Sequence, residues 1–222
     1  MSKVIAVPAN PALHNAAEEF LQAISHDRPA AEHYIHYIDR LTERMLAMFM
    51  IEPAEFTGLT GNARKVVDFA VTTAEKASSM LTRQTWGTIS NTEFAPIAAA
   101  LKVALVEGDG DKIPSLLTAQ VDEVFAREFQ EVANACLAGE GDQVRARMSA
   151  VMDQLTDHIL ENFFVRQTRQ VKLGMVTRKA LDVGIGGSRK AIHAVNHRVL
   201  KTLDAEHLRL FMQHYGDLVR DL

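Results

Sequence analysis

Helix-breaking residues are scarce in this 222-residue chain, and they gather at a few positions instead of spreading along it. Six prolines and twelve glycines separate long stretches in which apolar residues recur every three or four positions. That period aligns side chains along one face of an α-helix, and the apolar–polar alternation of half-buried strands is absent. The sequence therefore predicts an all-α fold, a multi-helix bundle of seven or eight helices without a convincing strand.

The same residues predict where particular helices begin and end. The first ten residues should form an extended arm, and residues 52–61, with one proline and two glycines, should form a loop. Two acidic stretches that contain glycine, 108–113 and 139–144, should each open a long amphipathic helix. A short helix, 175–183, should end at the glycine-rich segment 184–187. Further helices are predicted over 11–25, 29–51, 62–84, about 90–106, 189–202 and 205–220.

Composition and hydropathy place the chain among ordinary globular proteins. Hydrophobic residues make up 47% and charged residues 23%, which argues against disordered, collagen-like and disulfide-stapled classes. The single cysteine, Cys136, can form no intrachain disulfide and is expected to be a buried apolar residue. The longest apolar run, residues 45–51, falls far short of the ~20 residues of a membrane span. The N-terminal apolar stretch is too short for a signal peptide, so we expect a cytoplasmic protein without a membrane partner.

The net charge of −4 hides a marked asymmetry. Residues 1–162 contain 13 basic and 23 acidic residues, whereas residues 163–222 contain 11 basic and 5 acidic residues. We therefore expect an acidic helical bundle over residues 1–172. A shorter basic C-terminal helical subdomain, residues 173–222, should pack on it or continue the same domain.

One predicted helix of the C-terminal part separates its apolar residues from its basic ones. The apolar side is formed by Ser188, Ile192, Val195 and Val199, and the opposite side by Lys190, His193, His197 and Lys201. Such a helix can dock on a bundle and present cations to a phosphate-bearing partner. The alternative is a solvated face whose positive charges pair with the acidic remainder of the chain.

The segment 184–190, Gly-Ile-Gly-Gly-Ser-Arg-Lys, is the most distinctive short string of the sequence. Glycines ahead of a helix let backbone N–H groups approach an anion, and the helix N-terminus adds positive potential. The segment matches neither a P-loop nor a dinucleotide fingerprint. The alternatives to an anion site are a plain interhelical turn and an imperfect helix-turn-helix. The candidate anion or nucleic-acid site consists of Gly186, Gly187, Ser188, Arg189, Lys190, His193, His197 and Lys201.

Nine histidines raise the question of a metal or haem site. His158, His207 and His214 lie beside apolar positions of predicted helices, where facing helices could supply further ligands. The paired Glu-x-x-His motif of di-iron bundles is absent. No cofactor is therefore favoured, and a metal ion or haem at these histidines stays open as an alternative.

No local motif indicates a catalytic nucleophile or an acid–base pair. The sequence favours a non-enzymatic regulatory or binding protein whose basic C-terminal helices contact a phosphate-bearing partner, above all nucleic acid. A histidine-supported metal- or haem-binding sensor or enzyme and a protein–protein interaction bundle stay open as alternatives.

A dense apolar patch around Met45, Phe49 and Met50 is expected to be core, with an apolar ligand cavity or a homodimer interface as the alternative.

Overall fold

Helices dominate the fold. The computed structural model describes residues 2–87 and 89–222, is 75% helical and contains eight helices within these ranges. The predominantly all-α prediction is confirmed. The helices are α1 (Pro11–Ser25), α2 (31–56), α3 (Gly61–Trp86), α4 (Asn91–Ala104), α5 (Glu123–Leu137), α6 (141–168), α7 (Met175–Thr202) and α8 (Ala205–Tyr215).

A small antiparallel sheet was not expected from the sequence. Its order is β2-β3-β1-β4, and the strands are β1 (Lys3–Ala9), β2 (Leu105–Glu107), β3 (Ser115–Gln120) and β4 (Val219–Asp221). β1 carries no apolar–polar alternation because most of its side chains are buried on both faces. Pairing of β4 with β1 brings the two ends of the chain together, and Nζ of Lys3 lies 2.9 Å from a carboxylate oxygen of Asp221.

The stretch 108–113 does not open a helix, so that prediction is wrong. It forms the turn between β2 and β3, in which the Gly108 amide donates to the Pro114 carbonyl at 3.1 Å. A Cβ on Gly108 would lie 2.0 Å from the Ile113 carbonyl oxygen, so the turn requires glycine there. β3 then pairs with β1, and α5 begins only at Glu123, where the Asp122 side chain accepts from the Phe125 amide at 2.8 Å.

The predicted glycine turn at 184–187 is also wrong, because α7 runs without a break from Met175 to Thr202. Three glycines lie inside this helix, although each is unfavourable by about 1 kcal/mol relative to alanine in a helix interior. α7 packs along both α3 and α6, and this tertiary packing supplies the stability that local propensity lacks. Neither a helix N-terminus nor the turn of a helix-turn-helix exists at residues 184–190.

Two of the long helices each contain one turn of π-helix. In α2 the segments are Ala31–Leu46, the π-turn Ala47–Ile51 and Glu52–Phe56. In α6 they are Gly141–Leu160, the π-turn Glu161–Val165 and Arg166–Thr168. The predicted loop 52–61 is therefore helical as far as Phe56. Single π-helical turns inside α-helices are frequently found at functional sites.

A single contiguous hydrophobic core includes residues from all eight helices and from three of the strands. Cys136 is fully buried in it, as expected, and burial raises the pKa of its thiol to about 11. Residues of α7 and α8 belong to the same core as α1, so the basic C-terminal helices pack directly on the acidic part of the chain. In the ranges 2–87 and 89–222, no helix combines the length and apolar character needed to cross a bilayer.

Candidate functional site

An apolar cavity of about 150 Å³ lies between α2, α3, α6 and α7. Each of these helices contributes several of its side chains, and none of the described lining residues carries a charge. The apolar walls include Ile38, Met45, Phe49, Ile159, Phe164 and Ile185. The uncharged polar groups include Thr42, Ser78, Thr82, Gln167, Thr168 and Ser188.

The two π-turns lie at this same cavity. Phe49 and Met50 belong to the π-turn of α2, and Phe164 belongs to the π-turn of α6; all three line the cavity. Along α2 the lining positions otherwise follow the helical period, from Tyr34 through Ile38 to Met45. Both helices thus depart from regular α geometry where they border the cavity.

Neutral hydrogen bonds join the helices around the cavity. Oη of Tyr34 on α2 donates to Oε1 of Gln167 on α6, and the hydroxyls of Thr42 and Ser78 lie 3.0 Å apart across α2 and α3. Burial, with a smaller contribution from Tyr37, raises the pKa of Tyr34 well above its usual range. The Tyr34 hydroxyl is therefore protonated at neutral pH. The cavity accordingly offers apolar surface and a few neutral hydrogen-bonding groups.

The predicted basic face of α7 is only partly free, because two of its four side chains, His193 and His197, meet carboxylates of α6, as does Arg189 beside them. Nε of Arg189 and Nε2 of His193 lie 2.9 Å and 3.2 Å from Oδ1 of Asp157, and Nε2 of His197 lies 2.6 Å from Oδ2 of Asp153. The two contacts to Asp157 are close pairs by distance but lack hydrogen-bond geometry.

The other predicted anion-site residues lie in different surroundings. Lys190 and Lys201 are exposed, and Gly186 faces open space, since a Cβ there would meet no atom within 4 Å. Ser188 lines the cavity, and Gly187 lines a surface groove outside it. The structure therefore does not gather these residues into one anion site with converging backbone amides.

The three candidate metal histidines lie in three separate places. His158 lies against Phe125, with ring centres 4.5 Å apart, and Nδ1 of His207 contacts the helix-capping carboxylate of Asp204 at 2.7 Å. Nε2 of His214 donates to the carbonyl of Met48 at 3.1 Å. Among the described residues, no group of three or more potential ligands is arranged to hold a metal ion.

Sequence reasoning located the apolar patch on α2 but named a cavity only as its alternative. Small or polar residues at core-facing positions, such as Thr42, Ser78 and Gly184, are the signal that could have indicated the cavity.

Comparison with known proteins adds no assignment: no family model, curated protein sequence or solved structure matches this chain.

Proposed function

We propose that this protein binds a small molecule, whose apolar part occupies the cavity between α2, α3, α6 and α7. The observation that carries the proposal is the uncharged, largely apolar lining, with a few neutral hydrogen-bonding side chains such as Gln167 and Ser78. This combination is typical of ligand pockets, in which apolar walls supply affinity and a few polar groups fix orientation.

The energetics of the cavity support a role in binding. Protein interiors are close-packed, so a space of about 150 Å³ with a largely apolar lining departs from ordinary core packing. Apolar cavities of similar size take up small apolar molecules. A ligand that fills the space removes its apolar walls from water, which gives the folded protein a preference for apolar occupants.

The chemistry of the lining favours binding over catalysis. Its polar members are hydroxyls, one carboxamide and the indole of Trp86, and the described lining contains no carboxylate, imidazole, thiol or amine. A Ser or Thr hydroxyl becomes a nucleophile when a neighbouring base activates it, and the described lining supplies no such base. The sequence-based expectation of a non-enzymatic protein therefore continues here as part of the proposal.

A matched pair of glycine variants tests the proposal. Gly184→Leu places a side chain at the cavity wall, whereas Gly186→Leu places the same side chain two residues away in open space. Both changes remove a helical glycine and so have similar effects on helix propensity. Saturable fluorescence enhancement of N-phenyl-1-naphthylamine should persist in Gly186→Leu and be lost in Gly184→Leu. Equal binding by the two variants, or no binding by the unmodified protein, would refute the proposal.

The exposed lysines of α7 support a second candidate function, the contact with a phosphate-bearing partner. Lys179, Lys190 and Lys201 are all exposed and recur every eleven residues, about three helical turns, so they lie along one side of the helix. Nucleic-acid binding at this row should weaken steeply with salt and with Lys190→Glu, and should be unaffected by Lys102→Glu on α4. An affinity that does not depend on salt concentration, or that falls equally with Lys190→Glu and Lys102→Glu, would refute this second function.

A further inference from the structure

A surface groove of about 430 Å³ lies outside the cavity, along the contact between α3 and α7. Its walls include Val66, Phe69 and Ala70 of α3 and Val183, Ala191 and Ala194 of α7. Phe69 and Val183 expose 74% and 69% of their surface, which is high for large apolar side chains. Exposed apolar patches of this kind mark ligand-binding grooves or interaction sites.

The groove and the cavity share a wall. Five residues line both, namely Met50, Ala74, Gly184, Ser188 and Ile192. Three of these five have small side chains or none, so little material separates the two spaces. The seam between α3 and α7 at Ala74 and Gly184 is therefore the place where the groove and the cavity adjoin.

The two spaces together have the size of an ordinary ligand site, although the cavity alone does not. The cavity, at about 150 Å³, is smaller than the roughly 300–1,000 Å³ of typical ligand sites. The groove adds about 430 Å³ of largely apolar space on the other side of the shared wall. A long, narrow, apolar molecule fits such a pair of connected spaces better than a compact one does.

The only charged side chain among the described residues of the groove is Arg198. Arg198 is exposed, and no carboxylate of the described residues lies within 4 Å of its guanidinium. It lies about 9 Å along the α7 axis from Ile192 in the shared wall, given a rise of 1.5 Å per residue. The site thus changes from an uncharged interior, through an apolar groove, to a single cation.

We propose that the ligand is a long-chain fatty carboxylate. Its acyl chain crosses the seam between α3 and α7 into the cavity, and its carboxylate forms a charge-assisted hydrogen bond with Arg198 in the groove. This inference rests on the proposed binding function and identifies the ligand class for that same site. The groove's charge complementarity is the reason to prefer a carboxylate over a neutral lipid.

Two probes of equal chain length test this assignment. Palmitate and hexadecanol, both supplied as monomers, compete with N-phenyl-1-naphthylamine bound to the full-length protein. We expect palmitate to compete about tenfold more strongly than hexadecanol, and Arg198→Gln to remove that difference by weakening palmitate alone. Arg178→Gln, which removes an exposed cation of the same helix outside the groove, should leave both affinities unchanged.

The outcomes separate this inference from the proposed function. If both probes compete equally and Arg198→Gln changes neither, the cavity binds apolar molecules but the carboxylate assignment is overturned. If palmitate binds only when it is supplied in vesicles, a membrane occupies the groove and the assignment is overturned. If sedimentation shows a dimer that Phe69→Asp dissociates and palmitate does not, a second copy occupies the groove and the assignment is likewise overturned. If the fluorescent probe itself does not bind, the proposed function fails first.

Discussion

Nε2 of His197 on α7 donates a hydrogen bond of 2.6 Å to Oδ2 of Asp153 on α6. Nδ1 of His193 lies 3.9 Å from the same carboxylate oxygen, so one acidic side chain faces two imidazoles. Arg189 meets the neighbouring Asp157 in the same interface. The charge asymmetry of the sequence therefore corresponds in part to an internal pairing between the acidic bundle and the basic C-terminal helix.

Replacing the central carboxylate should loosen that interface. Asp153→Asn removes the negative charge but keeps the side-chain shape, and we expect it to lower the free energy of unfolding by about 0.5–1 kcal/mol, because the pair is partly exposed. Urea denaturation measures the change. Asp182→Asn is the control, since this exposed residue of α7 has no ion pair within the described ranges. Equal stability of the two variants would contradict the role of Asp153.

The hydrogen bond between Tyr34 and Gln167 should be a larger contributor to stability. Gln167 lies close to the hydroxyls of both Tyr34 and Tyr37 but meets hydrogen-bond geometry with Tyr34 alone. Tyr34→Phe should lower the free energy of unfolding by about 1 kcal/mol, because it leaves a partly buried carboxamide oxygen without its donor.

Tyr37→Phe provides a matched control for that prediction. The Tyr37 hydroxyl is buried and has no hydrogen-bond partner in the part of the chain that is described, so its removal should be neutral or stabilising. Chemical denaturation of both variants measures the difference. If Tyr37→Phe were the more destabilising change, the assignment of the hydrogen bond to Tyr34 would be wrong.

The buried thiol of Cys136 should make stability depend on alkaline pH. Burial raises its pKa from 9.0 to about 11, so the folded protein holds this proton at pH values where the unfolded chain releases it. The resulting stabilisation is complete below pH 9 and is lost as the pH rises towards 11. The stability difference between the unmodified protein and Cys136→Ala should therefore shrink across this range. A difference that stays constant from pH 8 to pH 10.5 would contradict the raised pKa.

Local signals predicted several elements correctly. The start of α1 follows from Pro11 in the first turn and from Asn10, whose side chain accepts from the Leu13 amide at 2.9 Å. The prediction failed where tertiary packing decides the structure. β3 is a strand because it pairs with β1, more than a hundred residues away in sequence, and α7 passes through its glycines because α3 and α6 support it.

The candidate site could be predicted only in fragments. The apolar stripe of α2 around Met45 and Phe49 was visible from its spacing, but a stripe that lines a cavity has the same pattern as one in a filled core. The cavity depends on how four helices separated in sequence meet. In two of them a π-turn rotates the positions of the following side chains around the helix axis, and no local motif indicates these π-turns. Likewise, the sequence could not show that His193 and His197 face carboxylates of α6.

The most direct test of the central claim is a methyl NMR titration of protein labelled at its methionine methyl groups. Met45 and Met50 line the cavity, whereas Met148 is fully buried next to Cys136, outside the described lining. Saturation with palmitate should shift the methyl signals of Met45 and Met50 and leave that of Met148 in place. Signals that all remain unchanged, or a shift of Met148 as large as those of Met45 and Met50, would contradict binding in this cavity.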